Sequence, residues 1–255
     1  MANEASNQAT SPWVAALRKL KEWDSVWAEH CVKMTTNPWT EKALSAKFLE
    51  LLSVGLNAAQ THVNSDGTRR HMRAAIAAGA TRQEILFVLK CASVISIHSC
   101  AFAAPILLQE ASAGSLEDFA KVRADRLKRV GEATSAVEKM KSLEQWTDEW
   151  DALLFLAPIF TNEYMEMSQE LYEEKVFSRK ELELLLIAFD ASSLRMSGSY
   201  TRHHIRNAFK AGATTDEIMQ VLKLTAVQGM QARNLAVTIL AEELGRDTAA
   251  QHAGA

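Results

Sequence analysis

Proline and glycine are scarce in this sequence, with 4 and 10 among 255 residues. No segment alternates polar and apolar residues over the length of a half-buried strand, so the sequence gives no sign of a sheet. Few helix breakers and no strand pattern predict an all-α protein, and the chain is long enough to bury a sizeable core.

Cysteine is also rare. The three cysteines, Cys31, Cys91 and Cys100, are odd in number and have no Cys-x-x-Cys spacing. This pattern favours free thiols in a reducing compartment over a disulfide framework. We expect Cys91 and Cys100 to lie in the core, as unreactive cysteines usually do.

Strong charge of either sign is missing, since the net charge is −3 and the pI is near 6.2. A nucleic-acid-binding protein would carry a basic patch, so we expect no nucleic-acid partner. The start, MANEASNQATSPW, lacks the basic and apolar regions of a signal peptide. Residues 91–108 carry no formal charge but include His98 and Pro105. We predict a buried core helix there, no membrane association, and a cytoplasmic protein.

What the sequence does contain is a repeat. Residues 71–90, HMRAAIAAGATRQEILFVLK, match residues 204–223, HIRNAFKAGATTDEIMQVLK, at 12 of 20 positions. The period is too long and the copies are too few for a solenoid. We therefore predict a duplicated domain. The first repeat, with an N-terminal helical extension, spans residues 1–130, and the second spans residues 131–255.

Part of the repeated segment is explained by folding alone. Gly79 is placed to end one helix, and Thr81 with Glu84 forms a capping box for the next helix. Thr214 and Glu217 have the same spacing in the second copy. This corner between two helices is therefore not evidence for chemistry.

Two repeated residues have no such folding role. Glu50 precedes His71 by 21 residues, and Glu183 precedes His204 by the same distance. A carboxylate in an apolar stripe is costly to bury unless it is paired, and a paired histidine would make an acid/base device. Alternatively, both glutamates lie at the solvent edge and both histidines only pack. Spacing alone favours this second interpretation.

Further histidines lie near these pairs in sequence. His62 and His98 could share a cavity with His71, or they could be a surface and a core histidine. His203 adjoins the second pair, at the position that Arg70 occupies in the first copy. No HExxH or carboxylate-x-x-His spacing is present, so we expect no metal site.

The segment ELLSVGLNAAQ followed by RRHMRAAIAAGATRQEILFVLKCASV resembles the carboxymuconolactone decarboxylase family, which also contains the AhpD-type alkylhydroperoxidases. The resemblance covers residues 41–112 and 174–245. It implies two tandem AhpD-like helical repeats packed as a pseudo-dimer. It also implies a homo-oligomer, in the form of a trimer of fused pairs.

The peroxidase branch of this family carries a Cys-x-x-Cys that ends four residues before the family histidine. Here those positions hold Asn64 and Gly67 in the first copy, and Ser197 and Tyr200 in the second. Without the two thiols, disulfide-based peroxide reduction has no nucleophile and no resolving group. A thiol peroxidase is therefore disfavoured.

The decarboxylase branch, as the resemblance implies, needs no thiol, metal or organic cofactor. Its substrates are small carboxylated lactones from aromatic degradation. The resemblance makes His71 and His204 the candidate proton donors or oxyanion partners. Glu50 and Glu183 would orient and tune them.

We add His62, His98, Arg70 and His203 as candidate contacts for the substrate carboxylate. Two other functions stay open at this point. One is a non-catalytic ligand-binding or structural helical oligomer. The other is a hydratase or isomerase that uses the same proton transfer on a related acid.

Overall fold

A computed structural model describes residues 12–60, 62–112, 135–192 and 197–253. All regular secondary structure in these ranges is helical, which confirms the all-α prediction. We call the described residues up to Ser112 the first half and those from Ser135 the second half. The predicted boundary between residues 130 and 131 lies outside the described ranges.

The first half forms six α-helices, with a short 3-10 turn, Ile95–Ile97, before the last of them. Their bounds are α1 Pro12–Trp23, α2 Ser25–Thr40, α3 Ala46–Ala58, α4 Ser65–Ala77, α5 Arg82–Val94 and α6 His98–Ser112.

The second half has a similar order, with the 3-10 turn Gln228–Met230 before its last helix. Its helices are α7 Ser135–Ser142, α8 Asp148–Leu156, α9 Pro158–Glu173, α10 Arg179–Asp190, α11 Gly198–Lys210, α12 Thr215–Val227 and α13 Gln231–Ala253.

The predicted helix corners are present in both halves. Thr81 and Thr214 each accept a hydrogen bond from the backbone N–H three residues on, and both capping boxes are complete. Gly79 and Gly212 have φ angles of 89° and 87°, in the left-handed region where glycine is favoured. The sequence therefore specifies these corners locally.

The two halves share their largest core cluster, to which α3 and α10 both contribute. Leu51, Leu52, Leu184 and Leu185 are fully buried there. Burial of this kind typically contributes about 1.5–3 kcal/mol per large apolar side chain. Because residues of both halves complete the same cluster, neither half closes its own core.

The outer helices of each half also pack on the other half. Helix α1 contacts α13, α2 contacts α12, α5 contacts α9, and α6 contacts α8. The start of α6, where His98 lies, is thereby carried across to the second half.

Two expectations about the apolar stretch 91–108 are wrong. It is not a single buried helix, because α5 ends at Val94 and α6 exposes Phe102 and Ile106 to solvent. Cys100 is exposed on α6, whereas Cys91 is buried as expected. On α6, Ala101 and Ala104 are buried while Cys100, Phe102 and Ile106 are exposed, so one face of this helix packs inward and the other faces solvent.

Among the described residues, the helical stretch Arg82–Ala111 has the length and composition of a membrane span. Half of its most apolar window is buried inside the protein. The core helices of soluble proteins meet the same criteria, so this feature is weak evidence for a membrane.

Candidate active site

The second half holds a buried Glu–His pair between α10 and α11. Nδ1 of His204 lies 2.7 Å from Oε2 of Glu183, and both residues are buried. Arg179 donates from Nε to Oε1 of the same carboxylate at 2.6 Å. Burial raises the pKa of Glu183, but the hydrogen bond and charge of His204 and the charge of Arg179 outweigh it, and the pKa falls. An ionised carboxylate only accepts, so Nδ1 of His204 carries a proton and donates.

A second imidazole–carboxylate pair lies beside the first and joins the two halves. His98, at the start of α6, has its Nδ1 2.9 Å from Oδ1 of Asp190, the last residue of α10. Oδ2 of Asp190 lies 3.6 Å from Nε2 of His204 and makes no hydrogen bond within the described residues. His98, Asp190 and His204 are the residues here that could hold a metal ion, since one ligand atom from each lies within 4.8 Å of the others.

Aromatic side chains hold His98 in place. Its ring stacks on Tyr200 with centroids 3.9 Å apart, and the ring of His204 lies 6.0 Å away. Trp150 meets His98 edge to face at 5.6 Å. Burial, with the charge of Glu149, raises the pKa of Tyr200, so its hydroxyl stays protonated.

These groups surround a small cavity of about 40 Å³. Its polar lining is His98, Gln145, Thr147, Ser168, Tyr172, Tyr200, His203 and His204. The space is enough for one or a few water molecules. An organic ring would therefore need the surrounding side chains to move apart.

His203 lines this cavity as a neutral imidazole. Burial, together with the charge of His204, lowers the pKa of His203 to about 4. Asn207 donates from Nδ2 to Nε2 of His203 at 3.0 Å, so that nitrogen acts as an acceptor. Near neutral pH, His203 can offer a substrate carboxylate a hydrogen bond but no positive charge.

The first half holds an equivalent pair with different surroundings. Nδ1 of His71 lies 2.7 Å from Oε2 of Glu50, and Trp39 donates to Oε1 at 2.9 Å. Arg70 donates to Nε2 of His71 at 3.0 Å. Burial and the charge of Arg233 lower the pKa of Arg70, and the charge of Glu50 opposes them. Both nitrogens of His71 are therefore engaged.

Neutral amides, one from each half, replace the second imidazole–carboxylate pair beside His71. Asn57 and Gln231 stand 133 residues from Asp190 and His98, at the equivalent positions. Asn64 donates to Oδ1 of Asn57 at 3.1 Å and to Oε1 of Gln231 at 3.4 Å. Gly67 holds the position in the first copy that Tyr200 holds in the second. A Cβ at Gly67 would lie 2.1 Å from Oδ1 of Asn57, so no larger side chain fits there. The two sites therefore present different chemistry.

The sequence-based candidates are thus placed as follows. Both Glu–His pairs meet, so the interpretation with solvent-edge glutamates is wrong for Glu183, which is fully buried. His98 lies with His204, and not in a shared cavity with His71. His62 follows α3 as a half-buried residue outside the cavity lining, and burial lowers its pKa.

Asp190 and Tyr200 were missed as site residues. Asp190 ends the apolar run LELLLIAFD, and a carboxylate there carries the same signal that singled out Glu183. The position of Tyr200 was noted only because it lacks a thiol. Nothing in the sequence indicates that it stacks on a histidine 102 positions earlier.

No protein-family model matches the chain, and no curated protein matches it. Among solved structures, it is similar to a protein of Burkholderia xenovorans LB400 named as a gamma-carboxymuconolactone decarboxylase subunit. The identity is 27%, the match covers 91% of each chain, and the TM-score is 0.74. That protein's name is itself a provisional assignment of activity.

A likeness that covers nearly all of both chains extends well beyond the helix corners of the repeated motif. This similarity supports the resemblance to the carboxymuconolactone decarboxylase family that the repeated motif carries.

Proposed function

We propose that this chain is a lyase that decarboxylates a small carboxylated lactone from aromatic degradation. It would use the acid/base chemistry of its own side chains, at the cavity beside His204. The observation that carries the proposal is the buried His204–Glu183 pair, whose histidine lines that cavity. The name of the Burkholderia protein supports the reaction class.

The reaction sets three requirements. Loss of carbon dioxide leaves an electron pair that delocalises into the lactone carbonyl and forms an enolate. The enzyme must hold the substrate, stabilise the developing oxyanion and deliver a proton to carbon. No oxidant or reductant is needed, because the electrons of the broken carbon–carbon bond end in the new carbon–hydrogen bond.

His204 is suited to the proton transfer. Its Nδ1 donates to the ionised carboxylate of Glu183, which fixes the position of the ring. Nε2 is then the nitrogen that can deliver a proton. The protonated hydroxyl of Tyr200, in the same cavity, can donate a hydrogen bond to the oxyanion. His98 and His203 remain the proposed contacts for the substrate carboxylate.

The first-half pair lacks a free proton-transfer nitrogen. Arg70 occupies Nε2 of His71, while Glu50 and Trp39 complete the pair. We therefore assign turnover to the second half, and a structural role to His71 and Arg70. A disulfide-based peroxidase finds no support among the described cysteines, since burial raises the pKa of the Cys91 thiol.

The test is a decarboxylation assay on freshly prepared γ-carboxymuconolactone, with His204→Gln and His71→Gln measured beside the wild type. Loss of a general acid typically costs about 10²- to 10⁴-fold in rate. We expect a loss of this size for His204→Gln and a change of less than about threefold for His71→Gln.

Thermal unfolding of both variants controls for loss of the fold. An inactive wild type would reject this substrate class. Equal activity of folded His204→Gln and wild type would reject the second-half site. A loss confined to His71→Gln would reverse the assignment of the working half.

A further inference from the structure

We propose that His98, Asp190 and His204 bind a divalent transition-metal ion of the Zn²⁺ class. The three residues come from α6, α10 and α11, so the site forms only when the two halves pack together. This inference goes beyond the proposed decarboxylation and does not depend on it.

The spacing of the donor atoms suits a metal. Nδ1 of His98 lies 2.9 Å from Oδ1 of Asp190, and Nε2 of His204 lies 3.6 Å from Oδ2. Ligands bound to Zn²⁺ at about 2.0–2.2 Å lie about 3.0–3.5 Å from one another. One ligand atom from each residue already lies within 4.8 Å of the other two. Small side-chain movements would therefore complete the set.

The charge balance of Asp190 also points to a cation. Its side chain is fully buried, and Oδ2 makes no hydrogen bond within the described residues. A buried carboxylate oxygen without a donor is costly unless a charge compensates it. A divalent cation between Asp190 and the two imidazoles supplies that compensation.

The surrounding residues orient the ligands as metal sites require. His204 donates its other ring N–H to Glu183, which Arg179 holds in turn. A carboxylate behind a histidine fixes the tautomer that leaves Nε2 bare for a metal. Tyr200 stacks on His98 and fixes its ring plane. Space in the adjoining cavity can hold water as a further ligand.

The site around His71 provides an internal comparison. At the equivalent positions it has Gln231, Asn57 and His71, and Arg70 covers Nε2 of that histidine. Neutral amides are poor ligands for transition metals. The structure therefore assigns one ion to each chain, at the second-half site.

The ion and the proposed chemistry compete for one atom. Nε2 of His204 is the proton donor of the proposed mechanism and a ligand in this site. Bound Zn²⁺ is therefore expected to inhibit decarboxylation.

The test uses full-length protein, stripped with a chelator and titrated with Co²⁺ as a visible-absorption probe. We expect saturable absorption at one Co²⁺ per chain, displaced by Zn²⁺. His98→Gln and Asp190→Asn install the residues found at the equivalent positions of the His71 site, and each should weaken Co²⁺ binding at least tenfold. His71→Gln is the matched control and should bind as the wild type does.

Glu183→Gln tests whether the carboxylate that orients His204 contributes to metal binding. Changing such a partner typically weakens metal binding about 10–100-fold, and the thermal unfolding temperature shows whether the variant is folded. The proposal is overturned if the wild type gives no saturable Co²⁺ absorption. It is also overturned if folded His98→Gln and Asp190→Asn bind Co²⁺ with unchanged affinity.

Activity separates this proposal from the proposed function. If chelated protein turns over the lactone and Zn²⁺ inhibits it, both proposals are supported. If chelation abolishes turnover and Zn²⁺ restores it, the ion site is supported and the metal-free acid/base mechanism fails.

Discussion

The chemistry of a histidine depends on which of its two nitrogens is already engaged. His71 and His204 hold their glutamates at the same distance, 2.7 Å, and both are buried. They differ at Nε2, which meets Arg70 in one site and faces Asp190 in the other. A single neighbouring side chain therefore separates a structural imidazole from a candidate acid.

The lowered pKa of His203 predicts how the stability of the protein depends on pH. Its folded pKa, about 4, lies below the unfolded value near 6.5. Between these values the unfolded chain binds more protons, so this group's contribution to stability falls as the pH drops from 6.5 to 4. Protonation of Nε2 also removes the hydrogen bond from Asn207. We expect His203→Gln to have a flatter dependence of the urea midpoint on pH across that window.

The exposed His30 on α2 offers the control. His30→Gln makes the same chemical change at an exposed side chain of α2, outside the cavity lining, and should keep the wild-type pH slope. Identical slopes for the wild type and His203→Gln would contradict the depressed pKa of His203.

At the scale of elements, a glycine sets how closely α3 and α10 pack. A Cβ at Gly55 would lie 2.5 Å from the ring of Phe189 and 2.8 Å from Val88. Overpacking of this kind typically costs about 1–3 kcal/mol. We expect Gly55→Ala to lower the free energy of unfolding by about that amount, measured by urea denaturation.

Gly198, the first residue of α11, is the matched control because a Cβ there meets nothing within 4 Å. Gly198→Ala should change the free energy of unfolding by less than about 0.5 kcal/mol. An unchanged free energy of unfolding in Gly55→Ala would contradict this prediction, since it would show that α3 and α10 can move apart at no cost.

Contacts between residues close in sequence could be predicted, whereas contacts between the two halves could not. The corners at Thr81 and Thr214 were predictable because capping needs residues only three positions apart. The meeting of His71 with Glu50 could be proposed from the repeat. The meeting of His98 with Asp190 could not, because it depends on α6 crossing to the other half. Spacing in sequence carries no information about that crossing.

For the whole molecule, the same apolar surface occurs twice. Phe102 and Ile106 are exposed on α6, and Leu235 and Ile239 are exposed 133 residues later on α13. Solvent-exposed apolar stripes on a folded chain commonly mark association sites. Two equivalent stripes on one chain would let several chains close into a ring. The homo-oligomer implied by the family resemblance, a trimer of fused pairs, stays a proposal that these stripes support.

The proposed oligomer predicts a change in mass when the stripes carry charge. Each chain is 28.2 kDa, so light scattering after size exclusion should give about three times that mass for the wild type. The double variant Phe102→Glu with Leu235→Glu should approach the mass of one chain, because charge at an apolar interface is not compensated. Val26→Glu, at another exposed apolar position, should leave the mass unchanged. A wild type with the mass of one chain would reject the oligomer, and a double variant that still associates would place its interface elsewhere.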